Sequence, residues 1–117
     1  MIRFAADENF NNDILRAVWR VEPTLDIIRV QDTEASGFSD SDLLRWLAQT
    51  SRILLTHDVN TVPRFAKELL KEGFVLPGIF LVQDSKPIAA VARDILLVAS
   101  CSSPEEWINQ LWYLPLA

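Results

Sequence analysis

The chain has 117 residues, half of them apolar and 23% charged, the size and balance of one folded domain spanning residues 1–117. Eleven Lys and Arg against sixteen Asp and Glu leave a formal charge of −5, which argues against binding nucleic acid through a bulk positive field. One cysteine, one histidine and three glycines exclude a disulfide framework, a Cys-rich zinc site, a site needing two imidazoles, a P-loop and a G-x-G-x-x-G turn. No apolar run reaches the roughly 18 residues of a membrane span, and the first residues lack the plan of a signal peptide, so a cytoplasmic protein without membrane contact is expected.

In chain order, Met1–Ala6 is short and apolar and turns polar at Asp7-Glu8-Asn9, the pattern of a buried strand ending in an acidic loop. Ile14, Leu15, Val18 and Trp19 recur at helical spacing and predict a first helix over 11–20. A second strand is expected within 25–30 and a loop from Gln31 to Phe38. Ser39, Asp40, Ser41 and Asp42 then offer N-caps to a second helix through Leu43, Leu44 and Leu47. A third strand over 52–56 ends at His57-Asp58, and a third helix over 62–71 closes at Gly73. A fourth strand over 78–82 precedes a fourth helix carrying Ile88, Val91, Ala92, Ile95 and Leu96. Trp107, Ile108, Leu111 and Trp112 predict a short fifth helix, and Cys101 is expected as a small buried hydrophobe. The sum is an α/β fold: a mostly parallel four-stranded sheet with helices on both faces.

In such a sheet ligands bind beyond the C-terminal strand ends, where the winding reverses. With the first and third strands flanking that point, Asp7 and Asp58 face one crevice. Asp40 or Asp42, at the start of the second helix, completes a group of three carboxylates. Like charges this close raise one another's pKa unless a cation neutralises them, and hard oxygen donors suit Mg²⁺ or Mn²⁺. Each acid also has a plainer role: Asp40 and Asp42 as caps, Glu8 as a solvated side chain or a partner of a helix N-terminus. Arg64, Lys67 and Lys71, at i, i+3 and i+7, are candidates for substrate phosphates, as is Arg16, which forms an i, i+4 pair with Arg20. Solvated helix faces explain these cations equally well.

Four segments carry a resemblance to a known family. Phe4-Ala5-Ala6-Asp7-Glu8-Asn9-Phe10, Gly37-Phe38-Ser39-Asp40-Ser41-Asp42-Leu43-Leu44 and Arg52-Ile53-Leu54-Leu55-Thr56-His57-Asp58 resemble, in order and spacing, segments of the short bacterial PIN-like proteins. Pro77-Gly78-Ile79-Phe80-Leu81-Val82 is similar to their last core strand, so the likeness spans residues 2 to about 98. The resemblance implies a PIN-like fold related to VapC-type toxins, which are Mg²⁺- or Mn²⁺-dependent ribonucleases. It implies Asp7, Asp40 and Asp58 as catalytic metal-site residues, with Glu8 as a further acid, RNA as substrate and an antitoxin-like protein as partner. The family often continues aspartate-x-aspartate where this chain has Asp58-Val59-Asn60, so Asn60 offers a neutral oxygen in place of a charge.

Two other classes fit parts of the pattern. A non-catalytic PIN-like binding module, or a homodimer, would use the apolar run Leu111 to Leu116. A receiver-like phosphoacceptor domain shares the acids after the first strand, an aspartate after the third and a later Lys-Pro, here Lys86-Pro87. The stretch from Asp58 to Lys86 holds only one helix and one strand, where a receiver needs two of each.

Overall fold

Three segments are apolar at every position or nearly so, and each becomes a strand buried on both faces: β1 (Phe4–Ala6), β3 (Ile53–Thr56) and β4 (Ile79–Val82). Continuous burial of this kind belongs to parallel strands covered by helices above and below. A computed structural model describes residues 1–116. Between the strands run α1 (Asn12–Val21), α2 (Asp40–Thr50), α3 (Thr61–Lys71) and α4 (Ile88–Cys101). Two short edge strands, β2 (Ile27–Arg29) and β5 (Leu111–Leu114), complete one five-stranded sheet in the order β2-β1-β3-β4-β5. Every pairing is parallel.

The alternation of side chains across the strands sorts the core into two layers. Phe4, Ala6, Ile53, Leu55, Phe80 and Val82 pack with α1 and α4 on one face. Ala5, Leu54, Ile79 and Leu81 pack with α2 and α3 on the other. Burying a side chain of this size contributes about 1.5–3 kcal/mol, so the two layers hold the strand ends, and the acids beyond them, in place.

The expected fifth helix is a strand instead. Only Pro104–Trp107 winds into a helical turn, of 3₁₀ type, under a reciprocal cap between Ser103 and Glu106. The chain then enters β5, where Leu114 turns into the α1–α4 layer and Leu111 packs on the α2–α3 layer. Pairing with β4 overrides the helical spacing of Trp107, Ile108, Leu111 and Trp112, because β4 otherwise presents an unpaired row of N–H and C=O groups. Gly78 permits the approach: a Cβ there would stand 2.8 Å from the Trp107 carbonyl oxygen, at a φ of +130°. Cys101 is exposed, not buried: it is the last residue of α4, whose buried positions end at Val98. Among the described residues no helix is long and apolar enough to cross a membrane.

Candidate functional site

The order 2-1-3-4-5 reverses its winding between β1 and β3, which are hydrogen-bonded neighbours. Asp7 follows β1 by one residue and Asp58 follows β3 by two, so both lie at the crevice where such sheets bind ligands. A cavity of about 300 Å³ opens there, and Asp7, Asp40, Thr56, His57 and Asp58 all line it. Phe38 and Leu43 supply part of its apolar wall.

Asp7 is fixed from two sides. Thr56 Oγ1 donates to Asp7 Oδ2 at 2.8 Å, and the Glu8 backbone N–H donates to Oδ1 at 2.9 Å. The same Thr56 hydroxyl accepts the Asp58 N–H at 3.0 Å, so one buried side chain ties the two aspartates together. Asp58 Oδ1 accepts the N–H groups of Asn60 and Thr61 at 3.1 and 2.8 Å, which caps α3 from outside the helix. Asp40 reaches the cavity from the first turn of α2. The N-cap expected of Asp40 or Asp42 is made by Ser39, whose side chain accepts the Asp42 N–H at 3.2 Å, and this leaves the Asp40 carboxylate free of capping duty.

The three acids repel one another. The Asp40 carboxyl is raised above its ordinary value, first by partial burial and then by the charges of Asp58 and Asp7. Among the described residues none of the three has a Lys, Arg or His partner within 4 Å. Nor do any three His, Cys, Asp or Glu side chains close around a single point as a ready metal cage.

The other sequence candidates fall elsewhere. Glu8 lines the cavity, but its Oε1 accepts the Gly37 N–H at 2.7 Å and the Ser36 hydroxyl at 3.2 Å, holding the loop that precedes α2. Asp42 turns to Arg45 on the exposed side of α2, at 3.4 Å. Asn60 is exposed and lies outside the cavity. It borders a second, open depression of about 510 Å³, shared with Arg64, Lys67 and Lys71 of α3. Arg16 is paired with Asp13 on the surface of α1. Lys86 follows β4 and lies outside the cavity, and α3 and β4 are the one helix and one strand between Asp58 and that lysine, as the receiver comparison required.

Sequence reasoning misses Thr56, the only polar residue in an otherwise apolar strand, which was the available signal. His57, whose sequence position suggests a loop residue rather than a ligand, sits in the loop after β3. His57 binds backbone with both ring nitrogens. Nδ1 donates to the Val82 carbonyl at 2.8 Å and Nε2 accepts the Asn11 N–H at 3.1 Å, so the ring carries its proton on Nδ1. Its face stacks on Phe10 with centroids 4.6 Å apart. One imidazole thereby joins the loops after β1 and β3 to Val82 at the end of β4, with the Asp84 carboxylate of the following loop 3.3 Å from its Nδ1.

Compared with family models, characterised proteins and solved structures, the chain gives no significant match.

Proposed function

We propose that this chain is a metal-dependent ribonuclease of the PIN-like kind, hydrolysing phosphodiester bonds at the cavity lined by Asp7, Asp40 and Asp58. The observation that carries the reading is one cavity lined by three carboxylates, none of them paired with a cation among the described residues, at the switch point of a parallel sheet. The Asp40 carboxyl is raised first by burial and then by the charges of Asp58 and Asp7, a cost that a bound cation would relieve. The sequence likeness of the segments around these acids to short PIN-like proteins supports the same reading.

The donor set fits Mg²⁺ or Mn²⁺. All three groups offer hard oxygens, the donor type that Mg²⁺ and Mn²⁺ prefer, and such an ion needs only one or two carboxylates and keeps several waters. Bound there, such an ion supplies a water of lowered pKa and offsets charge on the phosphate under attack. The protein's own work is positional. Thr56 and the Glu8 N–H fix the plane of Asp7, and the N–H groups at the start of α3 hold Asp58 by its Oδ1. Glu8 and Gly37 hold the loop that delivers Asp40.

The test is cleavage of single-stranded RNA by protein stripped of metal and then given Mn²⁺. Wild type should cut only with the ion, and Asp7→Asn should lose at least the ~10- to 100-fold that supporting groups of a metal site already command. Cleavage that ignores both the ion and Asp7, or no cleavage by wild type under any divalent ion, removes the reading.

A further inference from the structure

We infer that the open depression between α3 and β5 is the track along which unpaired RNA reaches the acid cavity, with phosphates on Arg64, Lys67 and Lys71 and one base against the ring of Tyr113. The inference rests on the ribonuclease reading and adds to it a substrate path and a preference for single strands.

The positions 64, 67 and 71 share one helix face, and all three side chains border the depression. Among the described residues none of them has a carboxylate within 4 Å. In a chain of net charge −5, three free cations against one acid, Glu68, make a local reversal of sign. Along α3 they span about 10 Å at ~1.5 Å per residue, the length of about three stacked nucleotides.

The far wall of the depression is Tyr113. Alternation along β5 turns Leu111 and Tyr113 toward the α3 side and Trp112 and Leu114 toward the α4 side, so the Tyr113 ring, 52% exposed, stands beside the cations. An open aromatic face next to free cations matches a base and its phosphates, and the base must be unpaired to offer its own face. At the other end the depression is bordered by Val59 and Asn60, the two residues after Asp58. A strand lying on α3 therefore arrives with its backbone next to an acid of the cavity. That adjacency favours RNA over an acidic protein segment as the occupant.

The test measures binding of a labelled oligouridylate of about eight nucleotides in metal-free buffer, where no cleavage occurs. The logarithm of wild-type affinity should fall with the logarithm of salt with a slope of about −2, from three phosphates at ~0.7 each, and Lys67→Ala should lower that slope by about 0.7. Tyr113→Ala should weaken binding about five- to 150-fold, and Tyr113→Phe should restore it. An RNA duplex of the same length should be indifferent to Tyr113. Unchanged binding in either Lys67→Ala or Tyr113→Ala overturns the inference, as does tighter binding of an oligoglutamate peptide that the same variants abolish. If the variants bind as expected but Mn²⁺ elicits no cleavage, the ribonuclease reading alone falls. If cleavage depends on Asp7 while Tyr113→Ala binds normally, the track alone falls.

Discussion

Thr56 Oγ1 donates to Asp7 Oδ2 across the β1–β3 pair at 2.8 Å, and this bond makes the geometry of one acid depend on the strand that carries another. Because the same hydroxyl accepts the Asp58 N–H, its loss would loosen one carboxylate and orphan a donor beside the second.

Thr56→Val keeps the branched shape but removes the hydroxyl. Leaving the Asp58 N–H without its acceptor should cost about 1–3 kcal/mol in urea unfolding. Mn²⁺ affinity should fall about tenfold or more, as expected when a group that orients a metal-binding carboxylate is removed. Thr56→Ser should recover most of both losses.

The raised Asp40 carboxyl sets the sign of a pH effect. Its folded-state pKa lies above the unfolded value, so the folded chain holds the proton more tightly. The associated stability is full below the unfolded pKa and is lost as pH rises through the folded one. Asp40→Asn removes that loss. Measured without metal, the stability of Asp40→Asn relative to wild type should increase as pH rises from the acid range to neutral. A part of the gain is offset by the missing charge at the start of α2, which favours an anion. Chemical denaturation at a series of pH values checks it; a difference that is flat with pH would contradict the raised Asp40 carboxyl, to which burial contributes first and the charges of Asp58 and Asp7 next.

His57→Ala should destabilise the fold by about 2–4 kcal/mol. It removes two bonds to backbone, leaves the Asn11 N–H without its acceptor and strips the partner from Phe10. Faster amide exchange in the loops after β1 and β4, measured together, would locate the loss at the tether. Exchange unaltered in both loops would show that the ring joins nothing.

Asn60 gives a control on geometry. It lies outside the acid cavity, so Asn60→Asp should leave Mn²⁺ affinity within about twofold of wild type despite adding a carboxylate two residues from Asp58. A marked tightening in titration would mean that residue 60 turns into the cavity when the ion binds.

Much of this architecture is legible in the amino-acid order, and the exceptions have physical causes. Buried parallel strands read as apolar runs, and so β1, β3 and β4 stand out, with Asp7 and Asp58 placed just beyond two of them. The edge strand β5 does not, because its four residues carry apolar positions that also match a helix, and only pairing with β4 decides between the two. The role of Glu8 is equally hidden: its partners Ser36 and Gly37 come close only after the loop before α2 folds back over β1. Ser39 rather than Asp40 takes the cap, a choice among adjacent candidates that local sequence leaves open and that decides whether Asp40 is free for the site.

Calorimetric titration of metal-free protein with Mn²⁺ tests the central claim, that the cavity lined by Asp7, Asp40 and Asp58 binds a divalent cation. Wild type should bind a single ion, with heat and affinity lost in Asp7→Asn and Asp58→Asn and weakened in Asp40→Asn, while Asp42→Asn, whose side chain faces Arg45, should titrate like wild type. The coupling of each cavity carboxylate, at about 1–3 kcal/mol, corresponds to a five- to 150-fold change in the dissociation constant. Equal affinity in wild type and in all three cavity variants would contradict the account, since the ion would then sit somewhere other than the switch point of the sheet.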